Sequence, residues 1–248
     1  MKLIKRVYDK KEDHMEILQY LKKTISKPKG GVSVPLKEAI FGEKYWKATW
    51  FCITFIMFGQ FTGVNAIMWY SNSIIKRMYD EGGGISPRVG TILIGFATWI
   101  GALTAMFPAK KFGRRTLVFT GHCLMGVMLI LVGVFSYKLY NNAALAMILL
   151  FLITYQLSDG SITYLYVAEV VVDGALGFCF LALKGTALII SLTTEFIMDS
   201  PLHPYGAFWL YGGLASIGAV FIFFTMRETK GLSDKEKKEL YFHPKIQS

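Results

Sequence analysis

The residues of this chain with chemical potential are polar groups set into long apolar runs. Gln60 and Asn65 lie in Gly59-Gln60-Phe61-Thr62-Gly63-Val64-Asn65-Ala66-Ile67-Met68-Trp69-Tyr70-Ser71. Carboxamides in such a run are costly unless they bond to something, which makes them candidates for a binding contact. Asp159, Lys184 and Glu195 interrupt two later runs. An intramembrane charge marks either a proton or ion pathway or a pairing between segments. The favoured expectation is pairing of the fourth and fifth runs with each other or with a partner chain. Of the four histidines only His122 falls in an apolar run, and it reads as a packed or hydrogen-bonded residue rather than a metal ligand. Cys52, Cys123 and Cys179 all fall in apolar runs without paired spacing, which predicts buried free thiols.

No phosphate loop, paired-cysteine metal motif or nucleophile–histidine arrangement is present. Neither enzymatic activity, a metal nor a cofactor is expected. Gly82-Gly83-Gly84 reads as a flexible loop rather than a phosphate cradle.

The elements that must position these groups follow from hydropathy. The 248 residues are 53% hydrophobic and only 18% charged, with a mean hydropathy of +0.42. A soluble domain is nearer 45–50% apolar and about 25% charged. A hydrocarbon core about 30 Å thick needs about 20 apolar residues in a helix. Six runs qualify, at 46–70, 89–109, 116–137, 143–171, 174–198 and 206–226. Backbone groups in lipid must bond internally, and the alternation of a barrel strand is absent, so the runs are helices. The fold class is therefore an all-α integral membrane protein with six transmembrane helices. Three parts follow: a basic head over 1–45, a transmembrane domain over 46–226 and a charged tail over 227–248.

The net charge of +10 is distributed against a nucleic-acid role. The head, the loop between the second and third spans, and the tail hold eleven, four and six Lys and Arg, whereas the opposite loops hold four. This asymmetry puts both termini on the same non-translocated side, cytosol or mitochondrial matrix, with basic flanks suited to anionic headgroups of the bilayer. It leaves open which membrane is involved. The head has no apolar core with a cleavage site, so no signal peptide is expected. Over 15–23 the head has apolar residues at helical spacing and reads as a short amphipathic helix, with a second short helix starting near Pro35. Tyr45 with Trp46, and Phe208, Trp209 and Tyr211, are expected in interfacial belts.

Four motifs carry a resemblance. The Gly59–Ser71 run resembles the QQLSGINAIMYYS segment of the sugar porters of the major facilitator superfamily. Gly113-Arg114-Arg115 resembles their basic-loop GRR, Tyr164-Leu165-Tyr166-Val167-Ala168-Glu169 their WxxVAE, and Glu228-Thr229-Lys230-Gly231 their ETKG. Val34-Pro35-Leu36-Lys37-Glu38 resembles the end of the family's central linker. The resemblance covers essentially the whole chain and implies the linker plus the second six-span half of a twelve-span transporter. In such transporters the two halves rock about a midplane sugar site. Carried over residue by residue, it implies substrate contacts at Gln60, Asn65, Thr98, Gln156 and Tyr164. It also implies an inner-side network of Gly113, Arg114, Arg115 and Glu169.

Several positions depart from the family pattern. Gly59 stands where a glutamine should precede Gln60, Gln156 replaces a glutamate, and Tyr164 replaces a tryptophan. The proline-rich GPGPIPW stretch has become Ser158-Asp159-Gly160-Ser161-Ile162-Thr163-Tyr164, which predicts a weakened hinge and an eroded site. The resulting expectation is a structural or accessory subunit of a larger membrane complex, with other subunits covering the exposed half-transporter face. The alternatives are one half of a split or dimeric hexose transporter, paired with a complementary six-span half or a second copy, and a truncated product.

Overall fold

Apolar runs with no water to bond must coil, and the positions where the coil breaks are set by glycine, proline and side chains that bond to backbone. The computed structural model describes residues 34–201 and 203–242. Residues from Pro35 onward belong to one contact unit. The amphipathic helix expected over 15–23 lies outside the described residues.

The second head helix is α1, Leu36–Phe41. Six stretches among the described residues are long and apolar enough to cross a membrane: Trp46–Gly82, Pro87–Ala109, Arg114–Tyr137, Asn141–Val170, Asp173–Asp199 and His203–Thr225. The chain is thus a multi-pass, all-α membrane protein. The first span is a broken pair, α2 (Trp46–Phe61) and α3 (Val64–Gly82). It runs well past the expected end at residue 70, because the polar residues after Tyr70 continue one amphipathic helix. The second span is α4 (Pro87–Thr104), opened by a proline at its first position, followed by the short α5 (Met106–Lys111). The third is α6 (Arg114–Tyr137). The fourth is α7 (Asn141–Tyr155), a π-helical turn (Gln156–Gly160) and α8 (Ser161–Val170). The fifth is α9 (Asp173–Asp199), the sixth α10 (His203–Thr225), and the tail adds α11 (Asp234–Glu239).

The closest seam joins α6 to α10 and is cut by small residues. A Cβ at Gly133 would overlap the Trp209 indole, and one at Gly126 would stand 2.8 Å from Ser216 Oγ. Lipid gives helices no hydrophobic reason to associate, so close approach through small residues supplies the dispersion contacts instead. On the other face of α6, Met125, Leu129 and Val132 pack with Ala144, Ile148 and Phe151 of α7 in the main core.

The end of the bundle opposite the basic tail is tied by side chains. Arg77 pairs with Asp199 at 2.7 Å and donates to Met198 O, joining α3 to α9. Asn141 donates to Gly83 O at 2.9 Å and to Met78 O, and Asn142 Oδ1 accepts from Ile85 N. The glycine segment read as a flexible loop is therefore pinned by two asparagines. Two further expectations are corrected. Phe208 and Tyr211 are core residues rather than interfacial ones, since they point into the bundle while Trp209 faces out. Cys123 is exposed on the outer side of α6, whereas Cys52 and Cys179 are buried free thiols.

Candidate functional site

The break in the first span positions the two carboxamides. Gly63 has φ +75, and a Cβ there would overlap the Tyr211 ring, so glycine is needed both for the turn and for the close approach. Thr62 Oγ1 donates to Gly59 O at 2.7 Å and closes the end of α2. Gln60, buried at the end of α2, and Asn65, half-buried at the start of α3, then face each other across the break. The Asn65 amide donates to Gln60 Oε1. The pair satisfies part of its own hydrogen-bonding capacity and retains donors and acceptors for a third group.

Beside it lies a buried acid–base pair. His122 Nδ1 of α6 stands 3.3 Å from Asp159 Oδ2 in the π turn, with side chains 0% and 1% exposed. His122 Nδ1 also lies 3.2 Å from Val118 O. Asp159 Oδ1 and Oδ2 and His122 Nε2 have no hydrogen-bond partner in the structure. Tyr155 is a further neighbour of both Gln60 and Asp159. A Cβ at Gly59 would stand 3.8 Å from Asp159 Cγ, so Asp159 faces the position next to Gln60.

The π turn has local causes. Ser158 Oγ donates to Thr154 O at 2.8 Å, and Ser161 Oγ donates to Gln156 O at 3.1 Å. Such back-bonding competes with the regular helix ladder. Gly121 of α6 leaves room for the widened turn, since a Cβ there would overlap Ser158. Loss of the prolines has thus not produced a regular helix. The fourth span keeps an irregular turn, of a kind frequent at functional sites.

A second constellation occupies the basic end. Glu228 Oε1 and Oε2 accept from Arg114 N (2.8 Å) and Arg115 N (3.1 Å), capping the N-terminus of α6. A Cβ at Gly113 would overlap that carboxylate. Glu169 at the end of α8 pairs with Arg114 Nη2 (3.1 Å) and Lys237 Nζ (3.2 Å) and accepts from Thr229 Oγ1 (2.6 Å). Lys238 donates to Ala168 O and Val171 O, satisfying the end of α8. Tyr241 OH lies 2.8 Å from Tyr166 OH and accepts from Arg227 N, and its ring stacks on Phe51. Burial pushes the Tyr241 phenol up to about 12 from its ordinary value of 10. In α11, Ser233 and Glu236 form a capping box, and bonds from the Ser233 hydroxyl and backbone hold the Glu236 carboxyl below its ordinary range.

The sequence-derived residues therefore divide. Gln60 and Asn65 touch. Gln156 opens the π turn: its Cβ packs where a side chain at Gly101 would go, and its amide oxygen lies against Gly160. Thr98 turns to Ile94 O and Met68 Sδ (2.9 and 3.6 Å), and Tyr164, 47% exposed, packs on Phe180. Among the described residues no hydrogen bond joins either to the amide pair. Arg114 meets Glu169 as expected, but Arg115 donates to Phe223 O instead. The favoured expectation pairs the fourth and fifth spans with each other or with a partner chain, and within the chain Asp159 finds a different partner. Asp159 pairs with His122 of the third span, because the π turn faces α6. Lys184 and Glu195 lie on the exposed face of α9, and among the described residues neither forms an ion pair. Lys237 has no place in the motifs, and Thr229 stands in the ETKG-like run without pointing to Glu169 as its partner. The Ser233-Asp234-Lys235-Glu236 capping signature marks the helix that presents Lys237.

A family profile described as "Sugar (and other) transporter" matches residues 1–241. The facilitated trehalose transporter Tret1 of Apis mellifera ligustica is 26% identical over 223 residues, covering 83% of this chain and 42% of the relative. Tret1 of Bombyx mori is 24% identical over 209 residues, covering 79% and 41%. Among solved structures, a double tryptophan mutant of XylE aligns with a TM-score of 0.73 at 20% identity, over 81% of this chain and 44% of that one. The inward-open form of the xylose transporter XylE from E. coli aligns at 0.66 and 18% identity, over 97% and 49%. These structures share the fold, and the chain spans less than half the length of the relatives it matches.

Proposed function

The chain belongs to the sugar (and other) transporter family, and we propose that it acts as one six-helix half of a sugar-translocating unit, opposite a complementary six-helix half. The observation that carries this reading is the Gln60–Asn65 pair across the Gly63 break. Two carboxamides there offer donors and acceptors suited to sugar hydroxyls, in surroundings where an unbonded polar group is costly. The trehalose transporters among its relatives support a saccharide as the substrate class. The basic-end network supports the same reading, since it ties the third, fourth and sixth spans and the tail at one carboxylate cluster. Both termini lie on the non-translocated side in this reading, in keeping with the Lys and Arg distribution.

A second reading, an accessory subunit of a larger membrane complex with an eroded substrate site, is favoured by Thr98 and Tyr164. Both bond or pack away from the amide pair.

The test is to extract the full chain in mild detergent with whatever it associates with, determine the particle's composition, and titrate it with trehalose and hexoses. A particle of about twelve spans that binds sugar saturably is expected. Gln60→Ala and Asn65→Ala should each weaken binding by about 1–3 kcal/mol, about thirtyfold in the middle of that range. A particle of many unrelated subunits that binds no sugar establishes the accessory reading.

A further inference from the structure

The seam between α6 and α10 is closed by glycines along most of its length but opens toward the basic end. There Phe119 and Cys123 of α6 and Ser216, Ala219, Val220, Phe223 and Phe224 of α10 line a groove of about 470 Å³. From residue 216 to 224 it follows α10 for about 12 Å at 1.5 Å per residue. Small side chains at 216 and 219 form its floor. Phe224, 77% exposed, forms one wall.

The end of the groove is cationic. Arg115 lies one turn before Phe119 on the same face of α6. Its guanidinium stands 5.8 Å from the centre of the Phe223 ring and donates to Phe223 O at 2.6 Å. That single bond leaves most of its five donors unused. Among the described residues, Arg115 makes no ion pair with a carboxylate. The nearby acid, Glu228, is occupied by the backbone N–H groups of Arg114, Arg115 and Lys230. Lys230 Nζ donates to Lys111 O in the same corner, adding two exposed lysines.

An apolar slot in a membrane-spanning seam, ending in an unpaired guanidinium flanked by lysines, matches a lipid with an apolar tail and an anionic head. We propose that this groove binds one anionic phospholipid from the leaflet on the basic side, its acyl chain between Phe119 and Phe224 and its phosphate on Arg115. A guanidinium holds phosphate oxygens through parallel donors, and anionic headgroups collect at basic sites between transmembrane helices. A zwitterionic lipid fills the slot equally well but gains less from the cationic end.

Cys123 makes the occupant measurable, because it lines the groove and is exposed while Cys52 and Cys179 are buried. The full chain is placed in nanodiscs of phosphatidylcholine alone or with phosphatidylglycerol, and alkylation of Cys123 by a neutral maleimide is timed. A several-fold slower reaction with phosphatidylglycerol, abolished by Arg115→Gln, is expected. Native mass spectrometry from mixed micelles is run alongside. One phosphatidylglycerol should be retained per chain, and Arg115→Gln should lose it. Equal alkylation rates and equal retention of both lipids overturn the proposal. So does a phosphatidylglycerol preference that survives Arg115→Gln. Should Cys123 prove unreactive in both bilayers, the retained-lipid count decides alone.

Discussion

The contact between His122 and Asp159 is the interaction whose loss this structure prices most sharply. Were both side chains ionised, opposite unit charges 3.3 Å apart would attract by about 5 kcal/mol at an effective dielectric constant of about 20. Desolvation of the two groups offsets much of that, so the net value of the pair is small. Breaking it from one side is a different matter. His122→Leu keeps the volume roughly constant but removes the basic side chain 3.3 Å from a buried carboxyl whose oxygens have no hydrogen-bond partner, and breaking such a buried pair from one side costs about 3–5 kcal/mol. Asp159→Asn keeps the shape and removes only charge. An interhelical hydrogen bond in a membrane is worth about 0.6 and at most about 1.7 kcal/mol, so that substitution should cost no more than about 2 kcal/mol. The double variant should fall well short of the sum, with a coupling of about 1–3 kcal/mol. The assay is unfolding of the purified chain by SDS titration, followed by tryptophan fluorescence. Equal losses from the two single variants, adding without coupling, would refute the reasoning and mean that the two side chains fill space and nothing more.

Three other outcomes follow from the same contacts. Gly133→Ala puts a methyl group into the Trp209 indole and should destabilise the chain by about 1–3 kcal/mol in the same titration, whereas Gly185→Ala, with open space around it, should not. Tyr241→Phe removes the hydroxyl that meets Tyr166 OH and Arg227 N and should lower stability by about 1–3 kcal/mol at neutral pH. Because the folded-state phenol is raised from 10 to about 12, the unfolded chain loses its proton first, and stability should fall as pH rises from about 10 to about 12. The difference between wild type and Tyr241→Phe, measured by thermal unfolding across that window, isolates this part. Replacing Glu228 with Gln keeps its size but removes the charge at the start of α6, and the loss should be about 0.5–2 kcal/mol by SDS titration.

Hydropathy made the membrane class and six spans legible, because a run of about 20 apolar residues admits few other structures. Span ends were less legible for a physical reason. After Tyr70 the residues become polar but remain amphipathic, so α3 continues through Gly82 while the hydropathy falls. The tail was legible as charge and not as structure. The capping box at Ser233 starts a six-residue helix, and only that helix brings Lys237 to Glu169 and Lys238 to the end of α8. Pairings between distant spans have no periodic signature at all, which is why the sequence names no partner for Asp159, while the fold places His122 of the third span beside it.

The departures at Gly59 and Asp159 take on a joint meaning once both are placed. Read along the chain, Gly59 is a lost carboxamide and Asp159 an unexplained charge. In the fold, a side chain at 59 would grow directly toward the Asp159 carboxyl, at 3.8 Å from its first carbon. A glutamine at 59 and an aspartate at 159 would compete for one volume between the first and fourth spans. With glycine at 59 the volume is free, and the polar group that fills it comes from the π turn. His122 then stands beside it from the third span, its ring accommodated on the other side by Gly218, where a Cβ would come within 2.9 Å of it. Polarity beside Gln60 has therefore moved from one helix to another rather than disappeared. The surroundings of the amide pair hold an acid where the family pattern has an amide, and they stay polar.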